Sequence, residues 1–430
     1  MNNQKKNKQE FKVPKRLRSL DVLRGISIVI AVFFIHLSAD FLSNDWIFIN
    51  TLYFPFADFI GPLFFVFISG IASVVSIKQK EGKIPNKVIR NRIIARGLFI
   101  MGIGAIINVF HNILYPISLY SPIPFPLSMW GWNILFFIGF AQIVAYYAYK
   151  WGITISTIIG ILIIFIGVPL REIIYMINFE IVNQNNFNLF YFLLQFIITS
   201  PIPQIPLFPC IAVSFFSTTI TKMVYSQILK ENRRQMIKIL KIFTISAILI
   251  IGFSVFFGYT ILTPDPLTSK LYPEVNLIYT TNTQNIIPEF ELLGLSAFLI
   301  RGTITHTTFA IGFSLLTFTI SFYYLDLKKR INLISRFFEY YGKYSLSFFL
   351  FVFYFDFAFH RFLNIYFFLI YYFAVISLLG FIIFIWKKYS KDAFLTPEWI
   401  VGKICVITAN QTYKRLNKKQ QEKISVSRIK

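Results

Sequence analysis

The chain has 430 residues, 56% of them hydrophobic, 19% aromatic and only 14% charged, against about 25% charged in soluble domains. Apolar runs of about 18 residues or more recur along most of it, too many for one soluble core to absorb, and such runs read as transmembrane helices. The net charge of +23 sits in the short segments between those runs and in the two tails; that placement excludes nucleic acid as its purpose and instead orients a membrane protein by the positive-inside rule, with anionic headgroups beside the lysines.

Residues 1–18 form a basic tail with Lys5, Lys6, Lys8, Lys12, Lys15, Arg16 and Arg18, expected in the cytoplasm. The first apolar run is too long for a signal-peptide core, so it is expected to serve as an uncleaved insertion signal. Ten spans are predicted, over residues 20–42, 53–77, 94–115, 130–149, 151–170, 207–224, 242–262, 303–325, 345–362 and 365–386. With this even count the basic segments "KQKEGKIPNKVIRNR", "QILKENRRQMIKILK" and "DLKKRINLISR" all fall on one side. The fold class is therefore all-α, a polytopic integral membrane helical bundle of about 10 transmembrane helices with N and C termini cytoplasmic. One integral domain, 19–386, lies between the tail 1–18 and a basic cytoplasmic tail, 387–430, and no fixed-period or inverted repeat is visible. Between 187 and 206 an apolar piece too short to span is followed by Pro201, Pro203, Pro206 and Pro209. It is expected to form a re-entrant or interfacial helix that lines a cavity, since broken backbone at membrane depth needs cover. Cys210 and Cys405 are expected on opposite sides, without a disulfide, and no metal-ligand spacing occurs.

Ionisable residues inside spans are functional candidates by default. The stretch "SLDVLRGISIVIAVFFIHLSADF" carries Asp21 and Arg24 at its inner end and His36 and Asp40 further out. Twelve residues of helix place His36 ~18 Å beyond Arg24. Asp40, one turn on, is a candidate to accept from one imidazole nitrogen and leave the other as a base. Asp21 and Arg24 form either an anchoring ion pair or a contact to an anionic ligand. Asp58, beside Gly61 and Pro62, is placed to face His36 from the second span. Arg92 and Arg96, four apart, either snorkel or bind phosphate, whose geometry suits guanidinium. His111, His306 and His360 also fall in the outer half, and Gln142, Gln195, Arg301 and Asp356 are further polar residues in or near spans.

The stretch "RLRSLDVLRGISIVIAVFFIH" resembles the first-span motif of the heparan-α-glucosaminide N-acetyltransferase catalytic-domain family of transmembrane acyltransferases. "FADFIGPLFFVFISGIASVVS", "RNRIIARGLFIMGIG" and "WGWNILFFIGFAQIVAYYA" resemble its next three spans. "YYGKYSLSFFLFVFY" and "LTPEWIVGKI" are similar to the C-terminal region of bacterial and archaeal relatives. The resemblance implies transfer of an acyl group, acetyl above all, from cytoplasmic acyl-CoA to an amine or hydroxyl of a sugar or glycoconjugate at the outer side of the cell membrane. It implies that Arg24 and His36 line the reaction pore. Two features differ from the family pattern. Eleven residues, not the usual ten, separate Arg24 from His36, which on a regular α-helix would turn His36 by ~100°. The region "SNDWIFINTLYF" lacks the external histidine of lysosomal members.

The reading is a membrane acyltransferase with His36, Asp40 and Asp58 as catalytic residues, Arg24, Arg92 and Arg96 holding the phosphates of acetyl-CoA or another acyl-CoA, and no metal. Its partners are the lipid bilayer, the acyl-CoA and a glycoconjugate acceptor, with a homodimer left open. The competing reading is a transporter of a small anion or lipid-linked sugar, with the proline-rich segment as its substrate site.

Overall fold

The computed structural model describes residues 16–429, apart from 39, 58, 115–128, 184–187, 199–204, 230–232, 266–267, 269–271, 287–291, 360–361 and 391–393. Among these residues eight helices are long and apolar enough to cross a membrane, and two shorter apolar helices, Pro62–Lys78 and Ser345–Phe355, accompany them. Each of the ten predicted spans falls on one of the ten. The chain is an all-α, multi-pass membrane protein.

In chain order the helices are α1 (Arg18–Ser38), α2 (Ser43–Ala57), α3 (Pro62–Lys78), α4 (Asn86–Leu114), α5 (Ile134–Trp151), α6 (Ile153–Asn183), α7 (Leu189–Ile198), α8 (Ala212–Leu229), α9 (Arg233–Phe257), α10 (Pro273–Thr283), α11 (Ile304–Ser321), α12 (Leu333–Lys343), α13 (Ser345–Phe359), α14 (Phe368–Tyr389) and α15 (Pro397–Ile429). The strands Ile261–Leu262 and Leu295–Ser296 pair antiparallel beside α10. This two-stranded pairing is a minor departure from the all-α expectation.

The short helix α3 is the central pillar. Apart from one strip of serines it is apolar, and its residues are buried almost throughout, Phe64, Val66, Phe67 and Ile68 completely; so apolar a helix belongs inside a bundle. α5, α8 and α11 pack around it. The outer helices show the reverse. Leu162, Phe165 and Ile166 on α6 and Leu249, Phe253 and Phe256 on α9 are exposed, an apolar periphery suited to lipid.

Several boundaries differ from the expected ones. The first span ends at Ser38 rather than at 42, and Asp40 stands in a turn beyond the helix. The second is two helices, with residues 59–61 in a turn before α3; Pro62 at the first position of α3 has no N–H to donate to a preceding turn, which starts a new helix there. The fifth runs on through Pro169 to Asn183, so Arg171 is helical. The predicted short helix before the sixth span is α7, and the prolines at 201 and 203 lie outside the described residues. The C-terminal tail is not loose: α15 packs against the start of α4. Thr396 accepts from the N–H of Trp399, Pro397 opens the helix and Glu398 sits in its first turn, a start signal written in the sequence.

α1 and α12 meet backbone to backbone at glycine. A Cβ on Gly342 would fall 1.6 Å from the carbonyl oxygen of Asp21, and one on Gly25 1.8 Å from that of Phe338. Backbone cannot yield as a flexible side chain does. Gly342→Ala is therefore expected to lower the thermal midpoint in detergent, with an overpacking penalty of about 1–3 kcal/mol; an unchanged midpoint would refute the close packing.

Candidate active site

Seven helices converge on one cavity of about 350 Å³ at the basic face. On α3 the residues Phe65, Ser69, Ser73 and Ser76 line it, with Lys80 just beyond the helix. Their spacing of four, four, three and four keeps them on one helical face. Arg92, Arg96 and Ile100 of α4, Gln142 of α5 and Arg24 of α1 complete three walls. The junction of α12 and α13 adds Lys343 and Phe349, and α15 closes the cavity with Val401, Gly402 and Cys405.

Cations dominate the mouth. Arg16 holds the buried Asp21 through Nε–Oδ2 at 2.5 Å and Nη2–Oδ1 at 2.9 Å, while Arg24 lies 3.7 Å from the same carboxylate. Lys343 pairs with Glu339 at 2.6 Å. Lys80 donates to the Ser76 hydroxyl at 2.8 Å. Among the described residues no carboxylate stands in ion-pair range of Lys80, Arg92 or Arg96, and Arg96 Nε is buried without a hydrogen-bond partner. The acid that does line the cavity, Glu398, is engaged elsewhere. Its Oε1 accepts from the N–H groups of Leu346 at 2.8 Å and Ser347 at 3.0 Å, and its Oε2 from the Ser347 hydroxyl. It caps α13 and ties α15 to it, the stabilising place for an anion at a helix N-terminus. The cavity therefore carries unneutralised positive charge over an apolar inner end.

His36 does not line this cavity but meets its wall. The imidazole stands edge-on to Phe349 at 5.5 Å and to Phe353 at 6.2 Å. Phe349 is thus shared between the cavity and the histidine. Between Arg24 and His36, α1 is not a regular α-helix: Ser27–Val32 is π-helical. A π turn closes i to i+5 bonds and so holds one residue more than an α turn. It absorbs the eleventh intervening residue, and the rotation expected of a regular helix is cancelled locally. Its widened backbone is held by tertiary partners, for the carbonyls of Val29 and Ile30 accept the hydroxyls of Tyr372 and Tyr53. Nothing in "SIVIAV" announces this.

Asp40 is fully buried. Its Oδ2 accepts from the Tyr371 hydroxyl at 2.6 Å, and its carbonyl accepts from the N–H groups of Phe362 and Leu363 at 2.8 and 2.9 Å. The i, i+4 register with His36 stops where the helix stops, at Ser38. Asp58 lies outside the described residues, as does His360; the side chain of His111 is likewise not described. Phe59, next to Asp58, stacks near the buried His306 with ring centres 6.3 Å apart. The structure thus brings Arg24, Arg92 and Arg96 to one cavity and His36 to its inner wall, and places Asp40 beyond. None of the described residues between 189 and 210 lines this cavity. Sequence reasoning missed Lys80, Lys343 and Cys405. Lys80 could have been read from the basic loop "KQKEGKIPNKVIRNR" in which it lies. Among the described residues no group of three His, Cys, Asp or Glu side chains is arranged to hold a metal.

A multi-pass helical bundle with a basic cavity at one face and a half-buried histidine against the cavity wall is the class of membrane protein that fold and site define. The particular family is given by comparison: residues 16–264 match the family described as Heparan-alpha-glucosaminide N-acetyltransferase, catalytic. The match covers more than half of the chain, and the chain belongs to this family of acetyltransferases. No curated protein matches the chain. The matched region holds Arg24, His36, Arg92 and Arg96; the walls supplied by α13 and α15 lie beyond it.

Proposed function

We propose that the protein transfers an acyl group, acetyl by family, from acyl-CoA bound in the basic cavity at the cytoplasmic face of the cell membrane to an amine or hydroxyl of a sugar or glycoconjugate at the outer side. One observation carries this reading: Lys80, Arg92 and Arg96, without carboxylate partners, converge in a cavity whose inner wall, Phe349, touches His36. Arg24, Arg92 and Arg96 hold the phosphates, which guanidinium matches in geometry and charge. The acyl thioester lies towards Phe349. His36 takes the proton of the attacking amine or hydroxyl; the acceptor forms the new bond to the acyl carbon, the C–S bond breaks, and the imidazolium returns a proton to the leaving thiolate. Asp40 and Asp58 position the acceptor side of the site.

The test is radiolabelled acetyl-CoA given to proteoliposomes with a panel of amino sugars and glycosides. Label appearing in the acceptor with free CoA thiol is the expected result. A protein that moves label across the bilayer with acetyl-CoA intact is a transporter, and the reading fails.

A pH dependence follows from Lys80, which lies outside the spans. Burial, then repulsion from Arg92 and Arg96, pushes its pKa down to about 8. A lysine is cationic below its pKa and neutral above, so its attraction for phosphate is complete below pH 8 and lost as pH rises through 8. CoA affinity is expected to be level near pH 7 and to weaken from about pH 8 upwards, with proton uptake on binding in that range. Lys80→Arg, charged throughout, should abolish the weakening; a wild-type affinity level to pH 9 would refute the role of Lys80.

A further inference from the structure

Between the basic mouth and the apolar inner end, the cavity wall carries a polar strip on α3 and one glutamine opposite, on α5. Gln142 is 3% exposed. Its Nε2 donates to Ser69 Oγ at 3.0 Å, which fixes the amide, while its Oε1 is buried with no hydrogen-bond partner. An acceptor left bare in a membrane-embedded bundle forfeits its hydration without compensation, a penalty that native structures tolerate where something else is to be bound. At the mouth the orphan is of the opposite kind, the Nε–H donor of Arg96. The cavity thus lacks an anion at one end and an N–H donor at the other.

We infer that Gln142 is a donor-recognition residue: its Oε1 accepts the N–H of a secondary amide in the pantetheine arm of the acyl-CoA, and so selects a pantetheine thioester over other anions. The inference rests on the donor-site reading above. Length supports it. Ser69 lies eleven residues before Lys80, ~16 Å along the helix. In an acyl-CoA about ten bonds join the nearer phosphorus to the amide nitrogen next to the cysteamine carbons, about 12 Å at the reach of an extended chain. The side chain of Lys80 spans the remainder. That amide is two carbons from the sulfur, so an amide at Gln142 puts the thioester one step deeper, towards Phe65 and Phe349 and hence beside His36. A polar pair at this depth has no other partner among the described residues, for Ser73 and Ser76 are occupied with the Ser69 carbonyl and with Lys80.

The experiment compares two ligands on purified protein by equilibrium binding: CoA, and adenosine 3′,5′-bisphosphate, which keeps adenine and two of the three phosphates but lacks pantetheine. Gln142→Met, of similar volume, is expected to weaken CoA by about tenfold, the value of one buried hydrogen bond, and to leave the bisphosphate unchanged. Gln142→Ala, which removes the same acceptor with less bulk, serves if the methionine variant folds poorly. The ratio of the two affinities within one variant cancels any loss of folded protein. Ser69→Ala keeps the acceptor and should lower the ratio less than either. An unchanged ratio in both Gln142 variants overturns the assignment while leaving the donor site standing. Wild-type protein that binds neither ligand overturns the donor-site reading, and this one with it.

Discussion

His36→Ala is expected to lower acyl transfer by about 10²–10⁴-fold, the usual worth of a positioned general base, while CoA affinity stays unchanged. The separation of the two readouts follows from position. His36 is outside the basic cavity and meets it through the edge of Phe349, so removing the imidazole takes nothing from the phosphate end. The variant should also fold, because His36 is half-buried and faces two aromatic rings that a smaller side chain does not clash with. Transfer at wild-type rate in proteoliposomes would dismiss His36 as the base. The π-helical segment makes a companion test. Deleting one residue within Ser27–Val32 should restore a regular helix without turning His36 away, and such a protein should retain far more activity than one with a deletion between Phe33 and His36.

The second large effect is at the mouth. Arg96→Glu is expected to weaken CoA binding by at least about 100-fold. A charge-assisted hydrogen bond contributes about 1.5–3 kcal/mol, and 1.4 kcal/mol is tenfold in affinity. Reversal does more than remove one such bond. A carboxylate at 96 would pair with Arg92 and Lys80, whose charges no described residue neutralises, and would repel the phosphates as well. Arg96→Lys, which keeps charge but not the planar fork, should fall between. CoA binding to Arg96→Glu at wild-type strength would place the donor elsewhere.

Much of the fold is legible in the sequence because membranes make it so. An apolar run of span length has one stable disposition, and ten such runs became ten helices. What a uniformly apolar run does not disclose is its neighbours. α3 and α6 read alike, yet one is the buried centre and the other lies at the lipid-facing rim. Helix ends were misjudged where a distant partner decides them: α1 stops at Ser38, and the turn beyond it is held by Tyr371, 331 residues away from Asp40. The candidate site divides in the same way. Arg24, Arg92 and Arg96 stand out as cations on apolar helices, and the structure brings all three to one cavity. That α15 would close it was not, since a basic C-terminal segment reads as a solvated tail until Glu398 is seen capping α13.

By itself, then, the sequence determined that this protein is an all-α, multi-pass membrane protein, where its apolar helices lie and which polar residues fall on them. Each of those follows from local hydropathy and from the expense of burying charge. Only the tertiary structure decided which cations face one another without a carboxylate between them, that the extra residue between Arg24 and His36 is taken up in a π turn, and that Gln142 is left with a bare acceptor. Those depend on helix-to-helix packing, where glycine contacts such as Gly25 against Phe338 and Gly342 against Asp21 set the spacing, and no single helix carries that information.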